Sequence, residues 1–198
     1  MAIKQVLELN RCPHCNIANP NIYLVHGCET NNAKGGNQRM WGIYCCKSCG
    51  GLVILSTRKN TDCILEIFPK SKTIDECIPE RARVYLNQAL ETIMSPAGSI
   101  MLSASSIDAM LKDKGFKNGS LYDRIEEAVK NHLITEGMAL WAHQIRLEAN
   151  DQRHADENVD LPTQTDAERI IEFTMALAEF LYVLPHKVDK GIKSTEPV

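Results

Sequence analysis

"RCPHCNIANPNIYLVHGCETNNAKGGNQRMWGIYCCKSCGG", Arg11–Gly51, decides the fold of the first part of the chain. It contains two Cys-x-x-Cys pairs, Cys12/Cys15 and Cys46/Cys49, about thirty residues apart. Two thiols at that spacing in a tight turn can face one ion, Pro13 and Gly50 supply turn geometry, and two such turns complete a tetrahedron. The pattern reads as a structural zinc site with Cys12, Cys15, Cys46 and Cys49 as ligands, because a closed set of four thiolates leaves no position for water. Cys45 is an alternative to its neighbour Cys46, which the two-residue spacing to Cys49 favours. His14 and His26 then read as surface or loop histidines, and Cys28, Cys63 and Cys77 as small buried apolar residues.

Around the cysteines, "NIYLVHGC", "RMWGIYC", "GLVILST" and "CILEIF" are rich in branched and aromatic residues and are separated by the polar "TNNAKGGNQ" and "RKNTD". They read as antiparallel strands, and Thr30–Gln38 as a mobile loop tip. The expected module is a zinc ribbon over residues 1–74. "PKSKT", Pro69–Thr73, breaks the pattern, and helical periodicity follows.

Eight cysteines in a chain of 198 residues would suit a disulfide framework only in an oxidising compartment. "MAIKQVLELN" lacks the basic start and long apolar core of a secretory signal, and "FTMALAEFLYVL" is interrupted by Glu179 and stops at Pro185, too short to span a bilayer. The expected location is the cytoplasm, with free thiols available to a metal and no membrane partner. Hydrophobic residues make up 44%, enough for a substantial core.

Residues 75–198 read as a bundle of about five helices, making the whole an α+β chain. After Pro79, Ala82, Tyr85, Leu86, Ala89, Leu90 and Ile93 recur at helical spacing. "SPAGSIMLSASSIDAMLKDKGF" is a second helix, whose small residues permit close approach to a neighbour and which ends near Gly115. Ser120 and Asp123 cap a third. A fourth starts after Thr135, and a fifth is expected to carry a Thr165/Glu168 capping box and to end at Pro185. Up to Lys70 there are eight Lys or Arg against four Asp or Glu, a net of +4, and the remainder, with fourteen against twenty-one, carries −7. A basic ribbon could touch the phosphates of RNA or DNA, or simply attract an acidic bundle in this or a second subunit.

The fourth helix ends in "RLEANDQRHAD", Arg146–Asp156. At about 100° per residue, Arg146, Asn150, Arg153 and His154 fall near 0°, 40°, −20° and 80°, on one face. An imidazole there can take the proton of a ribose 2′-hydroxyl while a guanidinium stabilises the phosphate. The same residues also read as a solvated face paired with Glu148, Asp151, Asp156 or Glu157. His132 and His143 have weaker claims, and Trp141 reads as a core anchor.

"PERARVYLNQAL", "SLYDRIEEAV", "LWAHQIRLEANDQRHAD" and "TDAERIIEFTMALAEFLYVLP", from Pro79 to about Lys190, resemble the bacterial domain of unknown function 4145, and "CPHC" with "YCCKSCGG" resembles the zinc-binding turns that often precede it. The resemblance implies a helical bundle related to the HEPN superfamily, homodimers, and a place in toxin, restriction or antiviral defence systems. Aligned with the motif of active HEPN ribonucleases, Asn150 and His154 match its asparagine and histidine, while the motif arginine falls on Ala149, so a guanidinium would have to come from Arg146 or Arg153. Two expectations follow. One is a non-catalytic module that dimerises and binds nucleic acid or another defence-system protein; the alternative is a metal-independent endoribonuclease with His154 as general base, assisted by Arg146, Asn150 and Arg153. Alanine at 149 and the acidic bundle favour the first.

Overall fold

A computed structural model of the chain describes residues 4–59, 63–70, 73–154 and 158–195. It divides into two compact units, Met1–Thr73 and Ile74–Val198.

The first unit is a five-stranded antiparallel meander in chain order: β1 (Val6–Leu7), β2 (Ile22–Thr30), β3 (Arg39–Cys46), β4 (Leu52–Arg58) and β5 (Ile64–Phe68). The four runs of branched and aromatic residues form β2 to β5, as their composition implies; β1 is too short to show a pattern. In β3 the alternation is visible directly, since Gly42, Tyr44 and Cys46 are buried and the residues between them are partly exposed. Tyr44 pairs with Leu24 and Val53, and Cys46 with Ile22, so these side chains share one face. A bulge in β2 leaves Val25 without a paired residue on β3. The 30–38 connection is exposed and is organised by Asn32, whose side-chain oxygen accepts from the amides of Lys34 and Gly36 at 3.0 and 2.8 Å.

Among the described residues the ribbon core is Leu7, Cys12, Ile22, Tyr44, Cys46, Val53 and Leu55. Two of its seven side chains are cysteines of the CxxC pairs, so both cysteine turns contribute directly to the core of this unit. Cys28 and Cys63 are exposed and Cys77 is half-buried, which corrects the expectation that they are buried. Cys28 lies toward the solvated end of β2, where every residue from Val25 onward is exposed.

The second unit contains α1 (Glu80–Glu91), α2 (Pro96–Asp113), α3 (Leu121–Lys130), α4 (Glu136–His154), and a last rod made of α5 (Gln164–Ala178), a π-helical turn (Glu179–Val183) and α6 (Leu184–Thr195). α2 is the central element, packing against α1, α3, α4 and α5. Its serines explain how it comes so close to α1: the buried Ser99 and Ser106 hydroxyls donate to the carbonyls of Ala89 and Ala82, at 2.8 and 2.9 Å. A small residue that can also donate both permits the approach and satisfies its own oxygen. Leu86, Ile100, Ile107, Met110, Leu111, Ile125, Ile145, Ile170, Ile171 and Leu177 fill the interior.

Three helix boundaries have clear causes. The Ser120/Asp123 capping box forms as expected. For α5 the box is Thr163/Asp166 rather than Thr165/Glu168, because the helical bonds begin one pair of residues earlier, with the Ala167 amide donating to the Thr163 carbonyl at 3.2 Å. Pro185 does not end the last rod. The amide of Leu184 reaches back to the carbonyl of Glu179, five residues away, and this wider turn immediately before Pro185 makes room for a ring and a missing donor that an α-helix would not tolerate.

Trp141 is 42% exposed, with one face against Phe173 at 4.5 Å between ring centres; it caps the bundle surface instead of anchoring its interior. No helix among the described residues is long and apolar enough to cross a membrane.

Candidate metal centre and polar hollow

The two cysteine pairs are held by the same turn used twice. In the first, the Cys12 amide donates to the Ile17 carbonyl and the Asn16 amide to the Cys12 carbonyl, both at 3.0 Å. In the second, Cys46 donates to Gly51 at 3.0 Å and Gly50 to Cys46 at 2.8 Å. The residue after the second cysteine is left-handed in both, Asn16 with φ 55° and Gly50 with φ 73°. Asn16 therefore takes the part that Gly50 takes in the other turn, as asparagine tolerates that conformation better than most side chains. The "CPHCN" string carries this signal, although attention to Pro13 alone misses it.

The four sulfurs of Cys12, Cys15, Cys46 and Cys49 all lie within 4.8 Å of one another, and Cys12 and Cys49 are 3.9 Å apart. Metal–sulfur bonds of about 2.3 Å in a tetrahedron place sulfurs about 3.8 Å apart, whereas a disulfide needs about 2.05 Å. The spacing fits a shared ion. Backbone amides also point at the sulfurs, His14 to Cys12 and Gly51 to Cys49, each at 3.4 Å, as thiolates require. Burial pushes the Cys15 thiol up to about 12. Burial acts the same way on Cys46, but the amides of Cys49 and Ser48 and the neighbouring thiols outweigh it and bring it down to about 7. Four sulfurs this close cannot all ionise without a compensating cation, and soft donors in a closed set select a thiophilic ion.

Cys46, not Cys45, belongs to the cluster; Cys45 lies on the strand face opposite Cys46, with its sulfur 3.5 Å from the Gly50 carbonyl. His14 is exposed, and its Nε2 lies 2.7 Å from the Leu52 carbonyl, which ties the first turn to the start of β4. His26 is exposed on β2.

At the far end of the sheet, Asn37, Gln38, Arg39, Arg58 and Lys59 line an open groove of about 650 Å³ together with Leu65 and Glu66. Arg39 pairs with Glu66 at 2.8 Å, and Lys59 with Glu29 at 3.3 Å.

In the helical unit, Arg146, Asn150 and Arg153 on α4 line a hollow of about 200 Å³ with the first residues of α3. His154 is exposed and does not line it. It is the last residue of α4, about 100° round the helix from Arg153, so the shared stripe runs 146, 149, 150, 153 and leaves it at the edge. Ala149 is 5% exposed, part of the bundle core and also a wall of the hollow. His143 lies 2.9 Å from Glu126 and against the Tyr122 ring, and His132 holds a left-handed φ of 55° at the end of α3.

A family model described as a domain of unknown function (DUF4145) matches residues 87–195, more than half of the chain. No curated protein and no solved structure matches it.

Proposed function

The chain belongs to the DUF4145 family, and from that premise we propose that it is a zinc-containing, non-catalytic module that binds nucleic acid and dimerises within a bacterial defence or restriction system. In this reading Cys12, Cys15, Cys46 and Cys49 hold a structural zinc ion, and the family-matched bundle is HEPN-like. The protein works in the cytoplasm as a homodimer.

The observation that carries the non-catalytic reading is the position of His154, outside the hollow that gathers Arg146, Asn150 and Arg153, with a buried alanine at 149. A general base must come within hydrogen-bond reach of the proton that it takes, beside the group that steadies the phosphate. The ribbon supports nucleic acid as the partner through its net +4 and through the groove rimmed by Arg39, Arg58 and Lys59, since cations gathered in a groove displace counterions from a phosphate backbone.

A second reading, the metal-independent ribonuclease with His154 as base, draws on the fact that three of its four expected residues do converge. Labelled RNA separates the two. Anisotropy titrations of the zinc-loaded protein should show binding that weakens with salt and in the Arg58→Gln/Lys59→Gln variant, with no cleavage in EDTA. Cleavage that His154→Ala abolishes would replace this reading with the ribonuclease, and failure to bind RNA or DNA at low salt would remove the nucleic-acid assignment.

A further inference from the structure

The antiparallel register sorts the side chains of the ribbon sheet onto two faces, because directly paired residues point the same way. One face is the core, with Ile22, Tyr44, Cys46, Val53 and Leu55. The other would be polar if it met only water. Instead Tyr23, Cys45 and Leu52 form one row across it, and His26, Ile43, Ile54 and Phe68 the next, so that only His26 breaks the apolar surface. None of these side chains belongs to the ribbon core, and Tyr23, Leu52 and Phe68 are exposed by 38, 49 and 48%. A contiguous apolar patch on a water-facing surface marks a binding site.

Two features identify the occupant. The first is where the rings are. Of the four aromatic side chains of the ribbon only Tyr44 is in its core; Trp41, one row beyond Ile43, shares the outward face with Tyr23 and Phe68. Flat rings left at the surface of a basic unit offer stacking platforms to nucleobases. Tyr23 on β2 and Phe68 on β5 are three strand spacings apart, about 14 Å. Bases in a duplex repeat at about 3.4 Å with their faces covered, so a strand that reaches both rings has its bases splayed apart.

The second feature is charge. Up to Lys70 the sequence carries +4 with Glu8, Glu29, Asp62 and Glu66 all counted. Cations stand at both ends of the apolar rows: Arg39 and Arg58 face each other beyond Trp41, and the Lys47 amine lies over the Tyr23 ring, 5.6 Å from its centre. Glu66 pairs with Arg39 on this face and Glu29 with Lys59, but both pairs are open to solvent, where such bonds are weak and a phosphate competes with them. An apolar protein segment would match the aliphatic side chains alone, whereas a phosphate backbone with its bases exposed matches the rings and the cations together.

We propose that this outward face docks single-stranded nucleic acid, with Tyr23 and Phe68 stacking on bases and Arg39, Arg58 and Lys47 meeting phosphates. Resting on the nucleic-acid reading above, this site takes unpaired strands in preference to duplex.

Anisotropy titrations of the full zinc-loaded chain at low salt test it, with labelled oligothymidylate, labelled oligouridylate and a mixed-sequence duplex of the same length. At least one single strand should bind about tenfold more tightly than the duplex, and the ratio of the two single strands tells DNA from RNA. Phe68→Ala and Phe68→Leu should each weaken single-strand binding about tenfold through the loss of one stacked base, with duplex binding unchanged, while Phe68→Tyr retains it. Phe68 lies outside the core, and zinc content with a thermal unfolding curve verifies that each variant folds. Duplex bound as tightly as single strand, or single-strand affinity unchanged in Phe68→Ala, overturns the site and leaves the nucleic-acid reading standing. Failure of every probe to bind removes both. Self-association in sedimentation that Phe68→Ala abolishes, with single-strand binding unchanged, makes the face a contact between copies and overturns the site as well.

Discussion

The imidazole of His14 occupies the space that a side chain at position 51 would take: a Cβ built on Gly51 would lie 2.5 Å from both Cγ and Cδ2 of the ring. The glycine after the second CxxC turn is thus matched to the histidine inside the first, and the ring, so placed, reaches the Leu52 carbonyl. Gly51→Ala should swing the ring out, break that contact and destabilise the ribbon by about 1 kcal/mol. In a His14→Ala background the same change should cost much less, because the obstacle is gone. Urea unfolding of the four proteins of this cycle measures the coupling, and strictly additive losses would show that the two turns do not meet through this pair.

Replacing one ligand separates the two units energetically. If the four-cysteine cluster holds zinc as proposed, Cys46→Ser should lose most of that metal and the structure of the ribbon, because Cys46 is both a cluster member and fully buried in a core of few side chains. Cys45→Ser should keep both. Metal content by elemental analysis and amide NMR spectra distinguish the variants, and the helical signal of residues 74–195 should survive in each. Equal zinc loss in the two variants would reopen the ligand assignment.

How much of this was legible in the residues depends on whether the signal was local. The CxxC spacing, the alternation in β3 and the Ser120 capping box are complete within a few positions, and each reads directly. The α5 cap was legible only as a class, because Thr163 and Thr165 each have an acid three residues on and the choice turns on which carbonyl accepts the first helical bond. Pro185 misleads for a physical reason. Its usual effect as a helix stop assumes α geometry, and a π turn placed just before it removes the clash. The hollow was not legible at all: periodicity placed Arg146, Asn150, Arg153 and His154 on one face, but the start of α3 decides which of them share an enclosed space.

The capping boxes make helix stability depend on acid. Hydrogen bonds from the Ser120 hydroxyl and amide hold Asp123 below its ordinary value of 3.8, and those from Thr163 do the same for Asp166. A depressed carboxylate contributes stability above its unfolded pKa and loses it as pH falls through the folded one. The melting temperature should therefore fall as pH drops below the ordinary carboxylate range. In the Asp123→Asn/Asp166→Asn double variant, which is already less stable at neutral pH, the acid limb should be shallower. An unchanged acid limb would place its origin elsewhere.

Tyr182 gives the opposite signature at the alkaline end. Its hydroxyl lies 2.9 Å from the Met110 carbonyl and 3.0 Å from Asp113, and Lys114 sits over its ring at 4.1 Å. It is buried at 8% exposure, in the π turn, where it ties the last rod to the end of α2. Burial, followed by the hydrogen bond to a carboxylate, raises its pKa above the ordinary 10.0, because ionisation would strand a charge in the interior and turn a donor against two acceptors. A group whose pKa is raised on folding contributes fully below the unfolded value and loses its contribution as pH rises from there toward the folded one. Tyr182→Phe should cost about 1 kcal/mol at neutral pH, through the lost hydrogen bonds to the Met110 carbonyl and Asp113. Above pH 10.0 the wild type should lose stability faster than the variant, so that the two unfolding curves draw together. Parallel loss in both proteins, followed by urea unfolding with helical circular dichroism, would show that the phenol does not hold this joint.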